Sequence, residues 1–566
     1  MQTRFNFVPR TLALAVLATA SAALQAGGFD VPVIATGMQG SSNANSAEAS
    51  DPSVIYYNPA GITRLHGTWV SNSVNLINVR GRVENQGTTG TPPPSNTDNS
   101  DSNPGTLTQG GGAGSYWPHL LASAALFASM PWDEQITLGF GLFPAAGGNL
   151  NNKSDWFGRN FADSTAVEIV NANSVAAIRF DEKHSLGFGT SVYLGHLKQK
   201  LQIDVPGVMP YLLQPVLDDL GGGTVGSLVN GLLGTSTIPP ALTTALNNIG
   251  VDGSTLFSAL TPEQKGEIAK LGGSVLLTPD SNGSGTIEMF GYGFGWNMGY
   301  MFSPDDKTRF GIAYRSEGRL NMRGTLDWDV DDVHSITDDV PGVHGLPAPD
   351  GSGNVSGADF LAKYYRPDAT TKSVVKLPAR LSLGFFRELN DKFDLMLDYT
   401  FIQSSVVENI KVTILDEKAP NGVDTIKQMP GIIVTKWRDS FKASAGLNYH
   451  YNDKLMLRTG YQYDLTPIRS PEYRHPSAPD SNRHMFSLGA NYKLKKNMTV
   501  DAAYSLILLE DAESRFRDPC RGAYLEDQNG FTSDKPQDCT GNGGTFRGRF
   551  YNTYINMLGL QLNTRF

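Results

Sequence analysis

The 566-residue sequence predicts an all-β fold: a transmembrane antiparallel β-barrel of about 14 strands. Three observations predict it. Many stretches alternate large apolar side chains with small or polar ones, and the connections between these stretches are short and long by turns. After an export signal, the chain has no apolar run long enough for a transmembrane helix, which needs roughly 18 residues or more.

The first 26 residues are typical of a secretory signal peptide. Arg4 and Arg10 supply positive charge, Leu12–Leu24 forms an apolar core, and Leu24-Gln25-Ala26 offers a cleavage site. The alternative is a short buried helix. The signal interpretation predicts a mature protein that leaves the cytoplasm and, for a barrel, ends in the outer membrane of a Gram-negative cell.

Composition agrees with a membrane barrel and argues against a nucleic-acid partner. Charged residues make up 18% of the chain, below the roughly 25% of soluble domains. Lys and Arg total 46 against 55 Asp and Glu, a formal charge of 46 − 55 = −9, and no basic run stands out. The mean hydropathy of −0.24 does not contradict a barrel, because lumen-facing polar residues offset lipid-facing apolar ones.

An N-terminal segment, residues 27–67, precedes the first strand and has no periodic pattern. It is rich in Gly, Ser and Ala, and Asp51-Pro52 and Asn58-Pro59 are turn signals. Such a segment cannot bury enough apolar surface to fold alone. We therefore expect it to fill the lumen as a hatch, in which Asn58, Pro59 and Ala60 form a turn, while residues 68–566 form the barrel.

Thr286–Phe302 gives the clearest strand signal, with Phe, Tyr, Trp and Met on one face and Gly and Asn on the other. The same alternation recurs along the chain. It predicts fourteen strands, at residues 68–84, 116–130, 135–143, 166–180, 184–204, 286–302, 308–325, 377–389, 393–412, 437–451, 454–465, 483–494, 498–510 and 547–566.

Every second connection between these strands is only a few residues long, and the others run to dozens. Short periplasmic turns and long extracellular loops are typical of an outer-membrane barrel, whereas a soluble β-sandwich has no reason to sort its loops in this way. The tight connections are Pro131–Glu134, Asp181–Lys183, Ser303–Lys307, Asn390–Lys392, Asn452-Asp453 and Lys495–Asn497.

The long extracellular loops are residues 206–284, 326–376 and 511–546. The first has helical character, with Leu212–Leu220 as an apolar face and Thr261-Pro262-Glu263-Gln264 as a capping box. Its helices either cover the barrel mouth as a lid or offer an apolar landing surface to a ligand. The acidic start of the second loop lacks the pattern of a calcium loop, so no metal site is expected there.

The sequence offers little catalytic chemistry. Zinc-protease, nucleophile-elbow, Walker A and C-x-x-C motifs are absent, so we expect no enzyme and no cofactor. A barrel enzyme with residues scattered along the chain stays a minor alternative. Cys520 and Cys539 are the two cysteines, and in an exported protein they form either one disulfide or two free thiols.

The chain resembles the FadL/TodX family of outer-membrane transporters for long-chain fatty acids and hydrocarbons. The resemblance covers essentially the whole mature chain. The motifs that carry it are Asn58-Pro59-Ala60-Gly61-Ile62-Thr63, Trp156-Phe157-Gly158-Arg159, Gly311-Ile312-Ala313-Tyr314-Arg315-Ser316, and Trp437-Arg438-Asp439-Ser440 followed by Leu457-Arg458-Thr459-Gly460-Tyr461. It implies a monomeric fourteen-stranded barrel with an N-terminal hatch, and lateral exit of the ligand at a kinked third strand.

In this sequence the third strand runs into Pro144, Gly147 and Gly148, which weaken strand pairing and make a lateral gate chemically reasonable. The alternative is that the strand simply ends there. Family position makes Lys198 and Lys200 candidates for binding a ligand carboxylate, with Arg319 a weaker one. Each could instead be a solvated charge or one that faces lipopolysaccharide.

These observations together predict passive uptake of hydrophobic compounds, foremost long-chain fatty acids, by capture in an apolar pocket and lateral release. The expected partners are that ligand, lipopolysaccharide and outer-membrane lipid, with the protein a monomer. Uptake of aromatic or aliphatic hydrocarbons by the same route is the first alternative, and a general polar porin is the second.

Overall fold

The structure is a computed structural model. It describes residues 31–90, 120–152, 155–203, 223–233, 237–238, 240–261, 264, 268, 283–331, 333, 346–347, 352–360, 362–363, 368–415, 431–518 and 544–566. The predicted signal peptide, both cysteines and the predicted apolar face at Leu212–Leu220 lie outside these residues.

Fourteen antiparallel strands close into a barrel, as predicted. Five of them are interrupted near the middle or the outer end and are described as two segments. The strands are β1 (Trp69–Asn85), β2 (Leu120–Pro131), β3 (Ile136–Asn151), β4 (Ser164–Arg179), β5 (His184–Ile203), β6 (Gly283–Asp305), β7 (Thr308–Arg315 and Gly318–Asp329), β8 (Ala369–Leu377 and Arg380–Asn390), β9 (Phe393–Ile402 and Asn409–Ile414), β10 (Gly431–Val434 and Ser440–His450), β11 (Leu455–Asp464), β12 (Arg483–Lys495), β13 (Met498–Leu509 with Ala512–Arg517) and β14 (Thr545–Arg565).

Each strand pairs with its neighbours in sequence, and the first pairs with the last. The closing pair β1–β14 runs in register from Trp69↔Arg565 to Asn85↔Gly548, with one irregularity beyond Arg80. Both chain ends of the barrel lie at the end that carries the tight turns, where the Phe566 amide donates to the Thr68 carbonyl at 2.8 Å. Because β1 pairs with β14, neither terminal strand is left as a free sheet edge, as a strand-built protein in lipid requires.

The alternation predicted from the sequence separates the outer face of the wall from the lumen. On β6, Phe290, Tyr292 and Phe294 point outward and are 62%, 59% and 65% exposed, whereas Met289 and Asn297 are buried inside. Among the described residues, no helix is long and apolar enough to cross a membrane. The strands therefore supply the surface that faces lipid.

Most strand boundaries differ from the sequence prediction by a few residues, and the largest differences are in the third and eighth strands. The third strand does not end at 143 but continues through Pro144 to Asn151, because an extra residue at Ala145 absorbs the irregularity and pairing with β4 resumes at Ala146. The eighth begins at Ala369 instead of 377, since the break at Pro378 interrupts the strand without ending it. In both places the proline and glycine residues predicted the end of a strand, whereas the strand continues past them.

The helices are short and lie in the N-terminal segment and the loops. They are α1 (Thr36–Gln39), α2 (Val54–Tyr57), α3 (Val225–Leu233), α4 (Pro240–Asn248) and α5 (Gly357–Phe360), with 3-10 turns at Pro59–Arg64, Phe257–Ala259, Ser404–Val406 and Pro471–Tyr473, and a small strand pair Leu346–Pro347 with Asn354–Val355.

Helices α3 and α4 confirm the predicted helical character of the loop after β5. The capping box is also confirmed, because the Thr261 amide donates to Gln264 Oε1 at 3.0 Å and the Gln264 amide donates to Thr261 Oγ1 at 3.2 Å. Val225, Val229 and Leu246 join the largest apolar cluster of the barrel wall, so the loop packs onto the apolar part of the barrel interior.

Candidate functional site

Residues 31–67 of the N-terminal segment lie against the inward-facing side chains of the barrel. The Gly37 amide donates to Gln561 Oε1 at 3.0 Å, and the Ser42 and Ser487 hydroxyls are 2.8 Å apart. The predicted turn at Asn58-Pro59-Ala60 is present. Asn58 Oδ1 accepts from the Ala60 amide at 3.1 Å, and Asn58 Nδ2 donates to the Tyr300 carbonyl of β6 at 3.1 Å.

Small residues on the lumen face of the wall let this segment approach closely. A Cβ atom on Gly299 would lie 2.1 Å from Asn58 Oδ1, and one on Gly187 would lie 2.5 Å from the backbone at Pro59 and Ala60. A Cβ on Gly460 would lie 2.3 Å from the Ser41 backbone. The glycine face that marked these strands in the sequence is therefore the surface on which the N-terminal segment rests.

A buried ion pair joins the segment to the wall. Arg458 of β11 donates two hydrogen bonds to the Glu48 carboxylate, at 2.6 and 3.0 Å, and Asn448 Nδ2 donates a third at 3.1 Å. Burial by itself would raise the pKa of Glu48, but the Arg458 guanidinium outweighs it and holds this pKa below its usual value. Glu48 is therefore a charged anchor of the segment.

Above the N-terminal segment, the lumen contains a cavity that is lined mostly by apolar side chains. Aliphatic side chains and one indole dominate its lining, which includes Ala145 and Ala146 of β3, Val167 and Ile169 of β4, Leu197, Leu377, Ile402, Val407, Ile410 and Trp437. The cavity offers a ligand methylene a favourable environment, worth roughly 0.8 kcal/mol for each methylene buried.

A second and more polar cavity lies between the N-terminal segment and the wall. Arg380 of β8 lines both cavities, and its Nη1 donates to Tyr56 Oη at 2.8 Å. Arg315 of β7 donates to the Tyr56 carbonyl at 3.1 Å and lies over the Tyr56 ring at 5.1 Å. Neither arginine stands out in the sequence as a candidate for binding a carboxylate, although Arg315 belongs to one of the family motifs.

The wall is unpaired on one side of β3. Pairing between β2 and β3 runs from Pro131↔Thr137 to Leu126↔Leu142 and stops there, although β3 continues to Asn151 along β4. The remaining described part of β2, Leu120–Ala125, pairs with β1 alone. The bulge at Ala145 lies just beyond the last β2–β3 pair, so Pro144, Gly147 and Gly148 all lie on the unpaired stretch.

An aromatic cluster lies near the outer end of this stretch and occupies the Trp156-Phe157-Gly158-Arg159 motif. The Phe157 and Phe546 rings stack with centroids 5.5 Å apart, and Trp156 Nε1 donates to the Ala162 carbonyl at 2.8 Å. Leu150 of β3 and Val83 of β1 belong to the same buried cluster, together with Phe161, Ala162, Phe516 and Phe550. The motif thus connects β3 to β1 and β14 where β2 does not pair with β3.

The three cations predicted to bind a carboxylate lie on the outer face. Lys198 and Lys200 share the outward register of β5 with Leu194, and Arg319 has the outward register of β7. Lys198 Nζ lies 2.9 Å from Glu288 Oε2, and Arg319 Nε lies 2.6 Å from Glu317 Oε1. The structure brings none of the three into the lumen. Side chains alternate along a strand between the lumen and the outer face, and all three residues occupy outward-facing positions.

No group of three or more His, Cys, Asp or Glu side chains suited to a metal ion occurs in the part of the chain that the structure describes. The cysteine pair Cys520 and Cys539 lies outside those residues, so the predicted disulfide stays a prediction.

Comparison with known proteins agrees with this geometry. The model of the family "Outer membrane protein transport protein (OMPP1/FadL/TodX)" matches residues 16–566. A putative outer membrane protein of Neisseria meningitidis serogroup B is 24% identical over 508 residues, which are 89% of this chain and 91% of that one. The long-chain fatty acid transport protein of Escherichia coli K12 is 21% identical over 388 residues, 69% of each chain.

Solved structures show the same fold. The crystal structure of a Pseudomonas aeruginosa FadL homologue covers 95% of this chain and all of its own length (100%), with a TM-score of 0.62 and 18% identity. The toluene transporter TodX of Pseudomonas putida covers 90% of this chain and 92% of its own, with a TM-score of 0.51 and 16% identity. Relatives named for a fatty acid and for toluene both match, so the likeness does not discriminate between the two substrate classes.

Proposed function

Because the chain belongs to the OMPP1/FadL/TodX family and is an outer-membrane transporter of hydrophobic compounds, we propose that its ligand is a long-chain fatty acid that leaves sideways through the unpaired wall at β3. The ligand enters from the outside and occupies the apolar cavity. It then passes between β2 and β3 into the bilayer, so that its hydrocarbon chain never returns to water.

One observation carries this route. The cavity is lined by Ala145 and Ala146, the bulged residues of β3, and the same stretch of β3 has lost its β2 partner. The apolar interior and the unpaired wall therefore meet at the same residues. Pro144 contributes because it has no amide proton to donate to a β2 strand, and Gly147 and Gly148 weaken pairing further.

The N-terminal segment acts as the hatch in this proposal and closes the route to the periplasm against ions and polar solutes. Its contacts with the lumen extend from Gln561 of β14 to Tyr300 of β6. A general porin needs an open aqueous lumen, which this segment obstructs. This obstruction supports a sideways route for an apolar ligand.

A fatty acid is favoured over a neutral hydrocarbon by the position of Arg380. This guanidinium lies where the apolar cavity meets the polar one, so an acyl chain in the apolar cavity can place its carboxylate there. Aromatic or aliphatic hydrocarbons stay the second candidate, because the apolar lining accepts them equally well and the toluene transporter TodX shares the fold.

Deleting Ala145 tests the lateral route. The deletion removes the bulged residue. Lumen-facing residues of β3 have odd numbers before the bulge and even numbers after it, so without Ala145 the side chains alternate between lumen and lipid along the whole strand. We expect β3 to straighten and pair further with β2. Fatty-acid uptake by cells that express the variant should then fall to the level of cells without the protein.

The matched control is deletion of Leu494, which removes the register shift between Lys493 and Lys495 at a tight turn far from the cavity. Heat-dependent gel mobility reports whether each barrel is folded. Wild-type uptake by a folded Ala145 deletion would eliminate the β3 route. It would leave transport through the lumen as the mechanism.

A further inference from the structure

We infer that the outward face of β7 and β8 binds the phosphate groups of lipopolysaccharide. The register places Arg323 directly opposite Lys372, and Arg319 directly opposite Lys376. All four side chains lie on the outward parity of their strands, and Lys411 of β9 follows on the same face. The site consists of two cationic cross-strand pairs separated by Asn321 and Val374.

These pairs are unfavourable without an anion. Residues directly opposite each other in an antiparallel sheet have Cβ atoms about 4.5–5.5 Å apart, and like charges at that distance destabilise the pairing. The chain repeats the arrangement twice, with a spacing of four residues, or roughly 13 Å along the strand. A ligand with more than one phosphate group would turn both repulsions into attractions.

Carboxylates of the protein neutralise this patch only in part. Glu317 pairs with Arg319, whose side chain is still 68% exposed, and Lys376 Nζ donates to the Val406 carbonyl at 3.2 Å. Within the described part of the chain, neither Arg323 nor Lys372 has a carboxylate within 4.0 Å. The upper pair is thus a positively charged site with free hydrogen-bond donors.

The position of the patch selects a lipid as the occupant. It lies on the half of the strands that leads into the long loops, opposite the tight turns where the barrel's chain ends lie, and therefore faces the outer leaflet. The neighbouring strand β6 presents Phe290, Tyr292 and Phe294 to lipid, opposite Arg323, Asn321 and Arg319 in register. A lipid can therefore place its phosphate groups on the cations while its acyl chains pack on the neighbouring aromatic side chains.

Phosphate chemistry fits these side chains. Arg offers a planar fork of donors that matches phosphate oxygens, and Lys supplies a compact charge beside it. Lipopolysaccharide is the phosphorylated lipid of the outer leaflet, so the proposal commits to it. The inference does not depend on the substrate or on the lateral route, because it concerns the outer face of the wall, and its test measures lipid retention alone.

The test compares retention of lipopolysaccharide by purified full-length protein in detergent, using native mass spectrometry. The variant is Arg323→Gln with Lys372→Gln. The matched control, Lys454→Gln with Lys493→Gln, removes the same charge at the tight-turn end. Wild type and control should retain lipopolysaccharide, and the Arg323/Lys372 variant should bind it about tenfold more weakly, a change of ~1.4 kcal/mol.

Three further arms identify the ligand. Dephosphorylated lipopolysaccharide should bind to wild type as weakly as intact lipopolysaccharide binds to the variant, and neither zwitterionic phospholipid nor millimolar inorganic phosphate should compete. Equal retention by variant and wild type would overturn the site. Full competition by inorganic phosphate would overturn the lipid assignment in favour of a free anion. Heat-dependent gel mobility ensures that only folded barrels are compared.

Discussion

The two halves of the lumen differ in what fills them. Near the tight turns, glycines such as Gly187 and Gly299 leave room for the N-terminal segment to lie directly on the wall. Toward the loops, inward-facing apolar side chains such as Ile169, Leu320 and Met322 form one buried cluster, and Ile169 also lines the cavity. The same strand alternation serves both halves, so the size of the inward residue decides whether backbone or a void occupies the interior.

This difference suggests separate roles: the lower half of the lumen is obstructed by the N-terminal segment, and the upper half has room for a ligand. The lower half is held by polar contacts and a buried ion pair, which specify one position of the segment. The upper half is mostly apolar, with Arg380 where the apolar cavity meets the polar one, which suits a ligand with a variable apolar part. Changes in the lower half should therefore alter conductance and stability, and changes in the upper half should alter ligand affinity.

The largest expected effect is on ion conductance. Deleting residues 28–65 should convert a nearly closed barrel into one that conducts like an open porin, because residues 31–65 lie in the lower half of the lumen. Single-channel recording in planar bilayers measures the change. Unaltered conductance in a folded deletion variant would show that the upper half, and not the N-terminal segment, blocks the lumen.

The next effect is on stability. Glu48→Ala leaves the buried Arg458 guanidinium without its carboxylate, which should destabilise the protein by about 3–5 kcal/mol. Urea unfolding measures the difference. Asp391→Ala, on an exposed tight turn, is the matched control and should change the free energy of unfolding by less than about 0.5 kcal/mol. Similar behaviour of the two variants would contradict the anchoring role of Glu48.

The anchor also predicts the direction of a pH effect. The folded-state pKa of Glu48 lies below its usual value of 4.5, so its contribution to stability is complete above that value and is lost as the pH falls through the folded-state pKa. Wild type should therefore lose stability below about pH 4.5, and the Glu48→Ala variant should lose less over the same range. An identical acid dependence in both proteins would contradict this assignment.

The smallest expected effect is on ligand preference in the upper half. Arg380→Met should weaken binding of a long-chain fatty acid about tenfold, since it removes the charge-assisted hydrogen bond, and should leave binding of the methyl ester unchanged. Titration with fluorescent analogues measures both. Lys198→Met tests the residue that the sequence favoured. If Lys198→Met abolished fatty-acid binding and Arg380→Met did not, the carboxylate would bind on the outer face and not at Arg380.

Much of the fold could be predicted because barrel strands carry a local signal. Thr286–Phe302 alternates aromatic and small residues, and the structure confirms both the strand and its two faces. The alternation of short and long connections predicted the antiparallel order of the strands. The N-terminal turn at Asn58-Pro59-Ala60 and the capping box at Thr261 were also predictable, since each depends on residues within three positions of each other.

The candidate site was less predictable, because it depends on which face each residue occupies. Lys198 and Arg319 have the charge expected of a carboxylate ligand but lie on the outward parity, whereas Arg380 lies inside. The breaks at Ala145 and Pro378 shift parity along a strand, and no count of residues from sequence alone locates such a shift.

By itself, the sequence determined a closed antiparallel barrel, because alternation and loop length are local and repeat many times. The export signal and the hatch role of the N-terminal segment stay predictions. Only the tertiary structure decided where β3 loses its neighbour, which cations face inward and which form like-charged pairs on the outer wall. Those features arise from register between strands distant in the chain, and register is set by the packing of the whole barrel.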